Sequence, residues 1–198
     1  MTTRRTFLAS SLALTGASLS GCASILPSEW VTLIDGTRVP IEWKQLGQGN
    51  WSIVDKTILQ GQNGKGGYLV SPKSYTDFEI RAEFWGDDNA NSGIFIRCAD
   101  PAKVGAATAY EVNIWDKRPD PSYGSGAIVD FAALKQPYPK TANRWNLFEI
   151  VARGERVTVT LNGVQTVDMI NGKYRSGPVA LQSAGGTIRF RKVEIREL

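Results

Sequence analysis

The stretch Arg156-Val157-Thr158-Val159-Thr160-Leu161-Asn162-Gly163-Val164-Gln165-Thr166-Val167-Asp168 reads as two strands and the turn that joins them. Apolar and polar residues alternate on both sides of Asn-Gly, a dipeptide suited to the two positive-φ positions of a tight hairpin. The same period of two recurs outward in both directions. Phe78-Glu79-Ile80-Arg81-Ala82-Glu83-Phe84 alternates between apolar and charged, and Gly93–Arg97, Tyr110–Trp115, Leu147–Ala152, Val179–Gln182 and Thr187–Ile195 follow the pattern. Glycine or Asn/Asp separates nearly all of them, and after the first thirty residues no stretch has a convincing helical period; Phe131–Leu134 could form a single turn. Many short strands with regular turns predict an all-β fold, an antiparallel two-sheet β-sandwich or jelly roll, as one domain over residues 30–198.

Composition narrows the chemistry. The 198 residues contain no histidine, which removes a Ser-His-Asp triad, a Cys-His pair, a histidine proton shuttle and any His-ligated zinc. Acid–base work must fall to the 19 carboxylates, to Tyr or Lys, to the backbone or to an oxygen-ligated metal. The net charge of +4 does not indicate nucleic acid. Without Arg4 and Arg5, 21 basic residues face 19 acids, a balance of +2, and no run of three Lys/Arg occurs.

Arg4 and Arg5 belong to a segment with its own logic. Thr3-Arg4-Arg5-Thr6-Phe7-Leu8 resembles a twin-arginine export signal, and Phe7–Leu19 is apolar and uncharged but too short to span a bilayer. Leu19-Ser20-Gly21-Cys22 looks like a bacterial lipoprotein processing box, in which the cysteine is acylated and becomes the first residue. Residues 1–21 are thus expected to be a signal peptide and 22–29 a tether lipidated at Cys22. The resemblance implies a periplasm-facing protein of the bacterial cell envelope, membrane-anchored. Ala23, not the aspartate of inner-membrane retention, allows an outer-membrane destination. With Cys22 used, Cys98 has no disulfide partner, and its spacing from Ile94 and Ile96 predicts a buried thiol on their side of the strand.

Strand parity also sorts candidate site residues. Along Tyr110–Trp115 one face carries Glu111, Asn113 and Trp115, a carboxylate, an amide and an indole, which is not a packing face. Opposite Ile94 and Ile96 fall Phe95 and Arg97, the latter a candidate to orient a carbonyl or to pair with Glu111. Trp85, Trp115 and Tyr123 are the candidates for stacking on a sugar ring, whereas Trp30, Trp43, Trp51 and Trp145 suit packing. Asp87-Asp88-Asn89 lacks the pattern of a calcium loop, and the glycines of Gly61–Gly67 lack the Lys-Ser/Thr of a phosphate loop.

At these residues the sequence resembles the 3-keto-disaccharide hydrolase domain family, folded like the concanavalin A-type lectins and glucanases. The resemblance is carried in order by Leu33-Ile34-Asp35-Gly36, Trp51–Asp55, Tyr75–Glu79, Asn91-Ser92-Gly93-Ile94-Phe95-Ile96-Arg97, Tyr110-Glu111-Val112-Asn113-Ile114-Trp115-Asp116, Gly126-Ala127-Ile128, Trp145-Asn146, Leu161-Asn162-Gly163 and Leu181-Gln182. It departs where the family usually has Gln at Asn113, often His where Ser183 and Ala184 stand, and Asn-Ile where Lys192-Val193 follow Phe190-Arg191. The resemblance implies cleavage of glycosides oxidised at sugar C3. The C3 ketone acidifies the C2 proton, a carboxylate base removes it, the C1 substituent leaves, and water adds. Glu111 is the expected base and Arg97 the carbonyl-side stabiliser. Asp116 is a candidate to assist or to hold a divalent metal ion. Asn113, Trp115, Trp85 and Tyr123 are expected to bind substrate. The alternative is a non-catalytic carbohydrate-binding, lectin-like module using the same aromatics.

Overall fold

The computed structural model describes residues 29–62 and 64–198; the signal peptide read at residues 1–21 and the lipidation site Cys22 lie outside them. Among the described residues, thirteen strands form two antiparallel sheets. β1 (Val31–Ile34), β3 (Trp51–Val54), β4 (Ile58–Gln62), β6 (Phe78–Gly86), β9 (Trp145–Arg153), β10 (Arg156–Leu161), β11 (Val164–Ile170) and β13 (Thr187–Glu197) build the larger sheet. Its order is β11-β10-β9-β6-β13-β4-β3, with β1 also paired to β13. β2 (Lys44–Gln48), β5 (Lys65–Tyr75), β12 (Gly177–Ser183), β7 (Ser92–Ile96) and β8 (Tyr110–Ile114) form the smaller one, in the order β2-β5-β12-β7-β8. This is the antiparallel sandwich that the alternation predicts.

The pleat accounts for the core directly. In β6, Phe78, Ile80, Ala82 and Phe84 are fully buried, while Glu79, Arg81, Glu83 and Trp85 project from the outer face of the larger sheet. From the smaller sheet, Leu69, Ile94, Tyr110, Val112, Ile114, Val179 and Leu181 meet them in one apolar cluster. Both inner faces are thereby removed from water, the main favourable term for such a fold. The hairpin turn between β10 and β11 places Asn162 at φ 51 and Gly163 at φ 80, the two positive values its sequence signals.

The smaller sheet has a second apolar cluster on its other side. Val70, Phe95, Cys98, Ala109 and Ala180 are buried there, with Leu46, Tyr68 and Val104 packed against them. Cys98 is buried as expected, but on the opposite side from Ile94 and Ile96. The cause is Arg97, whose φ of 52 ends the strand's alternation and exchanges the sides of the residues that follow. Burial pushes the Cys98 thiol up to about 12.

Candidate functional site

Antiparallel register assembles the outer face of the smaller sheet. One cross-strand row runs Lys44, Val70, Ala180, Phe95, Glu111. The next pairs Leu46 with Tyr68, Tyr68 with Gln182, and Gly93 with Asn113. Since Ala180 lies opposite Phe95, Gln182 comes opposite Gly93 and the second row is continuous. Residues from 46 to 182 thus share one patch because β12 lies between β5 and β7.

Glu111 stands at the end of the first row and is 8% exposed. Its carboxylate has no hydrogen-bond or ion-pair partner among the described residues. Burial raises its pKa to about 7; Arg118 opposes the shift and Asp130 adds to it. Its stem lies beside Gly93, where a Cβ would come within 3.2 Å of Glu111 Cγ and 3.1 Å of the Val112 carbonyl oxygen. Tyr68 packs edge-on against Phe95, centroids 5.4 Å apart, and its hydroxyl accepts a hydrogen bond from Gln182 Nε2 at 3.1 Å. Burial raises the Tyr68 pKa, and the Glu111 charge acts in the same direction.

Two acceptors here are buried without a donor, Asn113 Oδ1 and Gln182 Oε1. Asn113 is fully buried and its Nδ2 donates to the Tyr123 carbonyl at 2.6 Å. Buried polar atoms are ordinarily satisfied, so two orphaned carbonyl oxygens flanking one glycine set this part of the sheet apart.

Loop 116–126 borders the patch beyond β8. The Asp116 carboxylate accepts four hydrogen bonds, from Ser125 Oγ at 2.6 Å, Thr141 N at 2.7 Å, Thr141 Oγ1 at 3.0 Å and Ala142 N at 3.0 Å. Burial alone would raise its pKa, but these donors together hold it below the ordinary value. Asp116 therefore fastens the loop to the 141–142 segment, and its oxygens are already engaged. Tyr123 closes a 3-10 turn (Pro121–Tyr123) capped by Asp120, whose Oδ1 accepts from Ser122 N at 3.0 Å. Trp115 is half-buried, with the Arg118 guanidinium 5.6 Å from its ring centroid.

Two residues assigned to the site from sequence lie elsewhere. Arg97 is 0% exposed and points toward the end of the sandwich. Its Nε and Nη2 donate to the Thr76 carbonyl at 2.9 and 2.6 Å, Nη1 to Gly154 O at 2.7 Å and Tyr174 O at 3.4 Å, and Nη2 to Asp77 at 3.1 Å. All five N–H donors are used, so Arg97 ties three turns together and has none left for a substrate carbonyl or for Glu111. Its left-handed backbone, invisible to strand parity, turned it away. Trp85 obeys parity but belongs to the other sheet. It faces Trp145 across β6–β9 on the outer face of the larger sheet, under the Arg189 guanidinium at 4.6 Å. A groove of about 320 Å³ on that face is lined by Glu79, Arg153, Arg156 and Arg196, but Glu79 is held by Arg196, leaving no free base.

Tyr68, Gln182 and Arg118 are candidate site residues that sequence reading missed. Tyr68 follows the glycine run that was weighed only as a phosphate loop. Arg118 sits in the irregular loop after Asp116, where a cation close to Glu111 was the available signal.

The two-sheet antiparallel sandwich is a lectin-like fold, and its smaller sheet offers a free carboxylate, aromatic rings and unpaired acceptors. Within that fold class, the chain belongs to the 3-keto-α-glucoside-1,2-lyase-like domain family, whose sequence profile matches residues 29–196. Among solved structures it is similar to a candidate glycosyl hydrolase from Parabacteroides distasonis, with 16% identity, a TM-score of 0.70, and 85% of this chain and 94% of that one covered. A second candidate glycosyl hydrolase from that organism has 23% identity and a TM-score of 0.63, with 79% and 99% covered. The carbohydrate-binding module CBM66 from Bacillus subtilis has 20% identity and a TM-score of 0.64, with 79% and 96% covered. At these identities the structures show a shared fold. No curated protein matches the sequence.

Proposed function

We propose that the protein cleaves 3-keto-glycosides by elimination at C1–C2 followed by hydration, with Glu111 as the base. The observation that carries this reading is the Glu111 carboxylate, buried, free of partners and with a pKa of about 7, beside two orphaned acceptors. A base of that pKa is poised to hold and release a proton near neutrality. It takes the C2 proton, which the C3 ketone acidifies, and the C1–O bond then breaks. Arg118, beside Trp115, supplies the positive charge toward the developing enolate that Arg97 cannot supply. Trp115 and Tyr123 border the sugar; Asn113, expected from sequence to bind it, is fully buried and instead supports that border by donating to the Tyr123 carbonyl.

This chemistry needs one base, whereas an ordinary glycosidase needs two carboxylates flanking the bond. Asp116 is committed to its loop, and among the described residues no three Cys, Asp or Glu converge to hold a metal. The export and lipidation signals at residues 1–22 add a place for this activity, at the periplasmic side of the envelope.

The test is turnover of methyl 3-keto-α-glucoside by the purified protein and by Glu111→Gln. Wild type should release methanol. The variant should bind the sugar with turnover reduced by at least about a hundredfold, the usual contribution of general acid–base catalysis. Binding without turnover by wild type would refute the enzyme reading and leave the carbohydrate-binding module, which the CBM66-like fold also accommodates.

A further inference from the structure

We propose that Tyr68 is the proton donor to the departing aglycone oxygen, held in place by Gln182; this rests on the elimination reading above. Breaking the C1–O bond leaves an electron pair on the aglycone oxygen, and an alkoxide departs poorly unless a proton reaches it. In this cycle Glu111 keeps the C2 proton for return in the hydration, so the proton for the aglycone comes from another group. The chain has no histidine, Asp116 is consumed by four donors, and Arg97 is buried among backbone carbonyls.

Tyr68 stands on the same face, in the cross-strand row next to that of Glu111. Its hydroxyl accepts from Gln182 Nε2, so its own proton is not used in that bond and is available to a ligand. The edge-on contact with Phe95 fixes the ring, and Phe95 is the cross-strand neighbour of Glu111. Base and phenol therefore stand on opposite sides of Phe95 and Gly93, close enough for the Glu111 charge to act on the phenol. Gly93 has no side chain of its own, and the Glu111 stem and the Phe95 ring pack over it.

The protons balance. In elimination, the C2–H bond breaks and its proton passes to Glu111. The C2 electron pair enters the enolate and forms the C1=C2 bond as C1–O breaks, and the aglycone oxygen takes the Tyr68 proton. In hydration, the Tyr68 phenolate takes a proton from water, the resulting hydroxide adds to C1, and Glu111 returns its proton to C2. Both groups finish as they began, and the net change is hydrolysis.

Leaving-group dependence tests this. Tyr68→Phe keeps the ring and its packing and removes only the hydroxyl, and an unfolding curve confirms that the variant is folded. Methyl, phenyl and p-nitrophenyl 3-keto-α-glucosides serve as probes, in order of increasingly acidic aglycone. The variant should lose on the order of 10²–10⁴ in turnover of the methyl glycoside, and little with p-nitrophenyl, whose phenolate leaves unaided. Equal loss across the three, or none, would overturn the role of Tyr68 while leaving the elimination intact. Absence of turnover by wild type on all three would overturn the elimination and Tyr68 with it.

Discussion

Replacing Glu111 by Gln should make the protein more stable, and only where the carboxyl would be ionised. Burial raises the Glu111 pKa from 4.5 to about 7. Each pKa unit corresponds to about 1.4 kcal/mol, so holding the charge in the folded state costs about 3 kcal/mol. The sign follows from proton binding. The folded protein holds this proton more tightly than the unfolded chain, so the contribution of this group to stability is greatest below pH 4.5, falls as pH rises, and levels off above pH 7. The amide of the variant has nothing to ionise. Variant and wild type should therefore match near pH 4 and diverge between about 4.5 and 7, with the variant ahead by about 3 kcal/mol at pH 8. In a domain of this size that is on the order of 10 °C in Tm. Urea unfolding at pH 4, 6 and 8 measures it, with unchanged m confirming the same cooperative transition. A difference independent of pH, or a variant less stable at pH 8, would show that the carboxylate is solvated or paired, and the argument for Glu111 as a neutral-range base would fail. The expected result is the pattern of a group kept for chemistry at a cost in stability.

Three further outcomes are expected. Arg97→Leu strands the Thr76, Gly154 and Tyr174 carbonyls and should cost about 3–5 kcal/mol in urea unfolding. Arg97→Lys should recover little, since an ammonium cannot reproduce the five-donor fork; a cost under about 1 kcal/mol for the leucine would contradict the clamp. The kcat/KM for a 3-keto-glucoside should climb with pH and level off above about 7 as Glu111 loses its proton; a flat profile from pH 5 to 8 would contradict that assignment. Gly93→Ala brings a Cβ to 3.2 Å from Glu111 Cγ and should lower kcat about tenfold with the fold intact, and unchanged kcat would show that the base tolerates displacement.

The fold was legible because its information is local. The Asn162-Gly163 turn carries its own backbone requirement, and Phe78, Ile80, Ala82 and Phe84 announce a buried face without reference to any other strand. The site was legible only in part because it is a property of strand order. Parity joins Glu111 to Asn113 within β8, yet nothing within β5 or β12 announces that Tyr68 and Gln182 fall on the same patch. The same blindness put Trp85 in the wrong place: its parity was read correctly, on a strand of the other sheet. Arg97 failed for a different reason, a single left-handed residue that no alternation rule can foresee.

These two corrections bear on mechanism more than on architecture. With Arg97 committed to three carbonyls and Asp116 to four donors, Glu111, Tyr68 and Arg118 are left on this face as a carboxylate, a phenol whose proton is unused and a neighbouring cation. A direct displacement at the anomeric carbon would need a second carboxylate on the far side of the sugar. Proton removal beside a ketone does not, because the ketone itself holds the charge that a second enzyme group would otherwise have to stabilise. The lack of histidine is then no handicap. A carboxylate brought to pKa about 7 by burial works in the range where histidine ordinarily does, and the sheet reaches that value by leaving Glu111 without a partner.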